Sequence, residues 1–169
     1  MQARHLDRKR YFEDSAITSA RFYFSYINRF HPITKASRIL EIGCGEGGNL
    51  KPFAEAGCHV TGVDIAKARI GLAKRFFEAE GLKGSFECDD FLRSPTPREE
   101  SEKFDVLILH DVIEHIANKD AFINHIRYFM KADGILFAAF PAWQMPFGGH
   151  QQICRSKIWS KIPFFHMLP

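Results

Sequence analysis

Apolar and polar positions along the chain switch repeatedly between a period of two and a helical period. That alternation predicts a parallel sheet flanked by helices. Residues 11–30, YFEDSAITSARFYFSYINRF, set apolar residues at helical spacing, so an amphipathic helix precedes the first strand. Residues 38–42, RILEI, read as that strand, and a helix follows the glycines and stops at Gly57. A second strand covers 59–63, a helix ended by Gly81 covers 66–80, and a short third strand covers 85–88. Residues 93–103, RSPTPREESEK, form a polar loop with prolines. Residues 104–109, FDVLIL, form a fourth strand that is apolar but for Asp105, the mark of a strand buried on both faces. A helix from 118 or 119 to 132, closed by Asp133-Gly134, leads to a fifth strand at 135–140 that Pro141 terminates.

Residues 141–169 break the pattern. They carry aromatic, glycine and proline punctuation but no strand pair, so the fifth strand is left as an apolar sheet edge. Either this segment or a partner chain must cover that edge, or the chain is shorter than its natural form. A homodimer is the assembly by which a partner chain would cover the fifth strand.

Composition narrows the class. The chain has 169 residues, enough for one domain with its own core, and its 46% hydrophobic and 25% charged fractions are ordinary for a globular protein. No apolar run is long enough for a membrane span, and the charged N-terminus MQARHLDRKR lacks the apolar region of a secretory signal. Cys44, Cys58, Cys88 and Cys154 show no C-x-x-C spacing, so neither a metal site nor a redox dithiol is expected. Free thiols point to the cytoplasm. The net charge of +3 is mild, and its one basic cluster, Arg4, Arg8, Lys9 and Arg10, is too sparse for a nucleic-acid footprint.

The candidate chemistry begins at residues 38–50, RILEIGCGEGGNL. Gly43, Gly45 and Gly48 fit the dinucleotide pattern G-x-G-x-x-G, while Glu41, Gly43, Gly45 and Gly47 fit an acidic-x-G-x-G-x-G pattern. Asp64, ending the second strand, can accept from both ribose hydroxyls of any adenosine cofactor. Glu41 suits a cationic ligand better than an anionic pyrophosphate. In ECDDFL (residues 87–92), Asp89 and Asp90 end the third strand, where Asp90 can accept from an adenine amino group while Phe91 packs on the ring. FDVLILHDVIEHI (residues 104–116) ends the fourth strand in His110, Asp111, Glu114 and His115, at the strand ends where open parallel sheets place ligands.

Together LEIGCGEG, VTGVDIA, CDDF, FDVLILHDVIEHI and MKADGILFAAFP resemble, in order and spacing, the motifs of class I S-adenosylmethionine-dependent methyltransferases of the small-molecule kind. Ala132-Asp133 stands where that family more often has Pro-Gly. The resemblance implies a Rossmann-like α/β fold, a doubly wound parallel sheet with helices on both faces, here lacking part of the usual C-terminal antiparallel hairpin. It implies three parts: a helical lid over 1–35, an S-adenosylmethionine-binding core over 36–141, and an acceptor-side segment over 142–169.

Residue by residue, it implies that Gly43, Cys44, Gly45 and Gly47 line the methionine and ribose portion, with Glu41 near the ammonium. Asp64 would bind the ribose, Ile65 would pack on adenine, and Asp89, Asp90 and the Phe91 amide would face the base. The backbone of Leu109 and His110 would face the methionine amino group. The implied reaction is in-line methyl transfer to an oxygen, nitrogen or carbon of a small-molecule acceptor.

His150, beside Gly148-Gly149, is the catalytic candidate, against the plainer reading of a loop histidine bonded to backbone. Trp143, Phe147 and Trp159 are candidate pocket walls, with core packing as the alternative. Amino-methyltransferases of nucleic acids that resemble this fold carry Asn/Asp-Pro-Pro-aromatic after strand four. HDVIEH stands there instead, which disfavours a nucleic-acid acceptor. An NAD-dependent oxidoreductase and a non-catalytic S-adenosylmethionine-binding module are the competing readings.

Overall fold

The structure, a computed structural model, describes residues 7–141, 145–146, 156 and 158–165. They fall into two compact units, one up to Ala138 and a smaller one from Ala139 onward.

The chain enters the first unit as a helix, α1 (Arg8–Thr18), started by Asp7, whose carboxylate accepts from the Arg10 amide at 3.0 Å. The helix does not break at Thr18. It loosens into a π-helical turn over Ser19–Phe24 and tightens again into α2 (Ser25–Phe30). The expected helix over 11–30 is therefore one helical run with a widened middle. Such turns re-aim the side chains they carry, and this one presents buried Ser19 and Tyr23 inward.

The sheet holds β1 (Arg38–Ile42), β2 (His59–Asp64), β3 (Ser85–Cys88), β4 (Phe104–His110) and β5 (Met130–Ala139), in the order β3-β2-β1-β4-β5. The β1–β2, β1–β4 and β2–β3 ladders are parallel. A short 3₁₀ turn at Gly48–Leu50 and α3 (Lys51–Glu55) link β1 to β2. Helix α4 (Lys67–Ala79) links β2 to β3, and α5 (Lys119–Phe129) links β4 to β5. Strand order turns back on itself between β1 and β4, which opens a crevice at their carboxyl ends.

One boundary moves. The helix expected to reach 132 stops at Phe129, and the strand expected at 135–140 begins at Met130. Tertiary contacts outweigh helix propensity there. Lys131 Nζ donates to Asp105 Oδ1 at 2.8 Å, the Ala132 amide donates to Glu100 Oε1 at 3.2 Å, and a Cβ on Gly134 would stand 3.0 Å from the Phe104 carbonyl oxygen. These anchors draw Met130–Gly134 out alongside the start of β4.

The two sheet faces carry different cargo. On one, Leu40, Ile42, Leu107 and Leu109 pack under the Phe122, Ile126 and Phe129 stripe of α5. On the other, the same alternation places Glu41 in the row of Ile39, with Val106 and Ile108 beside them. That face holds the one fully enclosed charged side chain among the largest buried groups, Glu41. Among the described residues the sheet has five strands, and no helix is long and apolar enough to cross a membrane.

Candidate functional site

The carboxyl edge of the sheet bears two cavities that meet at Asp111. The larger, about 480 Å³, lies between the glycine loop and the turns after β2, β3 and β4. The smaller, about 220 Å³, lies under α1 and the π turn, against Asn49 and His110.

In the larger cavity the β2 end is built first. Asp64 is buried, with Oδ2 accepting from the Gly45 amide at 2.8 Å and Oδ1 accepting from the Ala66 amide at 2.7 Å. Hydrogen bonds to a charged group contribute roughly 1.5–3 kcal/mol each, so the carboxylate pins the glycine loop to β2. Each oxygen keeps a second acceptor site for a ligand. The next residue, Ile65, is 77% exposed yet borders the cavity, so it offers an apolar surface to whatever enters.

Across from it lies the turn after β3. Asp89 Oδ2 accepts from Ser94 Oγ at 2.8 Å, and its Oδ1 accepts from the Asp90 amide at 2.9 Å, which braces the turn. Asp90 accepts from the Leu92 amide at 3.2 Å and lies 3.4 Å from Arg93 Nε. Phe91 corrects an expectation: its ring is core, packed against Phe122 and Phe129, and only borders the cavity rather than presenting a free face.

The glycines divide their work. A Cβ on Gly45 would meet only the Arg69 side chain, with Nη1 at 3.8 Å, an ordinary contact. A Cβ on Gly47 would meet Phe86 Cε1 at 2.8 Å, and one on Gly48 would meet the Phe12 carbonyl oxygen at 2.5 Å. Gly47 therefore packs closely on Phe86, and Gly48 lets α1 settle on the loop. Cys44 likewise turns inward: its thiol is buried against Gly62 and away from both cavities, and burial pushes its pKa up. Gly43 borders the larger cavity under the Val112 side chain.

The smaller cavity is where the sequence is least informative. Glu41 lies behind its wall, 1% exposed; Oε1 accepts from Asn49 Nδ2 at 2.7 Å while buried Oε2 has no partner among the described residues. Burial raises its pKa to about 8, against the lowering effect of the Asn49 bond, with Asp64 adding a smaller raising contribution. The carboxyl is thus mostly protonated near neutrality. Leu109 is fully buried in β4. His110 packs against Tyr23, ring centroids 5.7 Å apart, with Nδ1 3.5 Å from Asn49 Nδ2 and Nε2 3.7 Å from Asp111 Oδ2.

Asp111 is a non-glycine residue at φ 53°, a left-handed conformation that Asp tolerates better than most. Backbone in that region is held by its surroundings and is often associated with function. Tyr23 borders the smaller cavity, its pKa pushed to about 12 by burial and then by Asp111 and Glu41. Its hydroxyl therefore stays protonated as a donor.

Asn49, Tyr11, Tyr23, Arg69 and Val112 line the cavities without having been expected from the sequence. Asn49 lies inside the glycine stretch, and Arg69 lies one turn beyond Asp64, so both had a positional signal. His150, Trp143 and Phe147 fall outside the described residues. Trp159 belongs to the second unit, stacked on Phe165 at 4.9 Å. The described residues contain no group of His, Cys, Asp and Glu that could hold a metal ion.

Comparison with known proteins decides the family. A model of the methyltransferase domain matches residues 40–136, which span β1 to β5 and every turn around the larger cavity. The chain belongs to the class I S-adenosylmethionine-dependent methyltransferases. That membership weighs against the dinucleotide reading of the glycines.

The methyltransferase domain is 32% identical over 123 residues to the ubiquinone biosynthesis O-methyltransferase of Bartonella tribocorum, covering 70% of this chain and 49% of that protein. It is 25% identical to PKMT2 from Rickettsia typhi, solved in complex with AdoHcy, with a TM-score of 0.60 over 71% of this chain and 25% of that one. The plantazolicin methyltransferase BpumL, solved with a triazolic desmethylPZN analog and SAH, shares the fold at a TM-score of 0.68, with 18% identity over 89% of this chain and 57% of that one. The chain spans about half the length of the curated relatives it matches.

Proposed function

We propose that the domain binds S-adenosylmethionine across the two cavities and transfers its methyl group to a hydroxyl oxygen of a small molecule. The observation that carries this reading is the junction at Asp111. A cavity with a nucleoside's needs, an apolar wall at Ile65 between the carboxylates of Asp64 and Asp90, opens there onto a second, polar cavity. The residues fit the cofactor on one further count: a buried, unpartnered oxygen at Glu41, whose other oxygen holds Asn49 in the wall of the smaller cavity. The O-methyltransferase named among the relatives supports oxygen as the acceptor atom.

When bound, the cofactor would supply a methyl group on a sulfonium: the acceptor oxygen bonds to that methyl as the sulfur–carbon bond breaks, the neutral thioether leaves in line, and the hydroxyl proton passes to Asp111. Asp64 accepts from the ribose hydroxyls with its remaining lone pairs. Ile65 packs on the adenine, and Asp90 accepts from the amino group of the base. Gly45 allows the backbone to approach. Helix α1 and the π turn line the smaller cavity through Tyr11, Asp14, Ser15, Thr18 and Tyr23, and this wall keeps water from the reacting atoms.

At the junction, Asp111 accepts a hydrogen bond from the acceptor hydroxyl and orients its oxygen. His110 positions Asp111, since Asn49 Nδ2 on its Nδ1 side leaves the ring proton on Nε2, facing the carboxylate. Alignment of this kind can contribute several kcal/mol to the rate.

Calorimetric titration with S-adenosylhomocysteine and with NAD tests the cofactor: binding of the first alone is expected, and binding of NAD alone would overturn the reading. Transfer of a labelled methyl from S-adenosylmethionine to a panel of phenols and catechols, using the longest natural form of the chain, tests the reaction. Retention of cofactor with no transfer would leave a binding module instead.

A further inference from the structure

Asn49 sits where three elements converge on the smaller cavity. Its backbone oxygen accepts from Ser19 Oγ in the π turn at 2.7 Å, in a fully buried contact. Its side-chain Nδ2 donates to Glu41 Oε1 of β1 at 2.7 Å and lies 3.5 Å from His110 Nδ1 at the end of β4. Both neighbours claim the same nitrogen. The carboxamide oxygen Oδ1 is left without a protein partner among the described residues, in a side chain that borders the cavity.

The cavity's own charge says what that oxygen meets. Its lining includes the carboxylates of Asp14 and Asp111, and no lysine or arginine among the described residues. Hydroxyl-bearing residues, Tyr11, Ser15, Thr18 and Tyr23, complete the wall. A compact cation with hydrogen-bond donors suits such a lining, and the ammonium of an α-amino acid is one.

We propose that Asn49 reads the amino-acid end of the bound cofactor, its Oδ1 accepting from the ammonium, and that Glu41 is a positioning residue acting through Asn49. The proposal rests on the cofactor reading above. Glu41 holds the amide by accepting from Nδ2, the orientation that leaves Oδ1 for the cavity. A carboxyl is not required for that task, because an amide oxygen at the same place accepts the same bond. Glu41 thus works by orientation, consistent with a carboxyl that burial keeps largely protonated near neutral pH.

Two ligands separate this from a merely structural role: S-adenosylhomocysteine, and 5′-methylthioadenosine, which keeps the nucleoside and thioether but lacks the amino-acid end. Affinities of both are measured calorimetrically on the unmodified protein, Asn49→Ala and Glu41→Gln. Asn49→Ala is expected to weaken S-adenosylhomocysteine about ten- to hundredfold, the effect of losing a hydrogen bond to a charged group. It is expected to leave 5′-methylthioadenosine within about twofold, and that binding also reports that the variant is folded. Glu41→Gln is expected to hold S-adenosylhomocysteine within about threefold, by keeping the amide oriented.

Equal losses for both ligands in Asn49→Ala, or no loss for either, would overturn the proposal. A Glu41→Gln loss as large as that of Asn49→Ala would overturn the positioning role and make Glu41 a charge partner. An unmodified protein that binds neither ligand would bring down the cofactor reading itself, a result distinct from either.

Discussion

The two cavities share one sheet edge and one residue, Asp111, yet they are made in different ways. The larger is assembled from turns that directly follow strands, and each contributes within a few residues of its strand end: Gly43, Asp64, Asp89, Val112. The smaller needs a helix from the far N-terminus to lie across Asn49 and His110. Local chain geometry builds the first, and long-range packing builds the second. Damage to one should therefore spare the other, unless it strikes a residue that serves both.

The sharpest break in that comparison is Gly45→Val. Gly45 sits at φ 53°, a conformation that a β-branched residue resists, and its amide donates to Asp64, which lines the larger cavity, so the strained backbone would pull on that carboxylate. Cofactor affinity is expected to fall more than about a hundredfold, with a stability loss of about 1–3 kcal/mol. Calorimetry and denaturant melts on the same samples read the two effects.

Gly48→Ala aims at the smaller cavity alone. Its Cβ would lie 2.5 Å from the Phe12 carbonyl oxygen and 2.8 Å from Ser15 Cβ, so α1 must shift off the loop. A stability loss of about 1–3 kcal/mol is expected. Amide exchange should accelerate across Arg8–Thr18 while the strands stay protected, and uniform acceleration would mean that the two regions are not separable.

Glu41 supplies a test by pH. Its carboxyl pKa is raised from 4.5 to about 8 in the folded chain. Between those values the folded state holds a proton that the unfolded state has released, so stability falls as pH rises through that window. The slope contributed is at most about 1.4 kcal/mol per pH unit. Glu41→Gln should flatten the decline between about pH 5 and 8 in urea melts, and an unchanged slope would show that another group carries it.

The smallest effect is expected at Ile65→Ala. The side chain is 77% exposed, so melting should hardly change. Nucleoside affinity should fall about five- to twentyfold, in line with the apolar surface lost from the ligand's wall. An equal loss of stability and affinity would place Ile65 in the core instead.

Most of the larger cavity is legible in the chain's local patterns. RILEI, the β2 end at Asp64, SFEC and the apolar run of β4 announce a parallel α/β sheet, because period and punctuation are local properties. The motif turns after those strands are legible for the same reason. The boundary near Met130 is not, since Lys131, Ala132 and Gly134 take their conformation from partners in the segment 100–105. Nor is the sorting of the glycines: a Cβ on Gly45 would meet only the Arg69 side chain at 3.8 Å, while one on Gly47 would meet Phe86 at 2.8 Å, a distinction made by a neighbour 39 residues away. The π turn over Ser19–Phe24, which brings Tyr23 over His110, leaves no trace in the spacing.

The sequence by itself determined the strand-and-helix alternation, the cofactor motifs and their order, because each depends on residues close together in the chain. Only the tertiary structure decided that Glu41 is enclosed and bonded to Asn49, that the Cys44 thiol turns inward, and that Asn49 stands at the wall of a second cavity. Those outcomes depend on burial and on partners brought in from distant segments. A side chain's charge and hydrogen-bonding freedom are set by what surrounds it, and that is settled when the sheet closes under the helix.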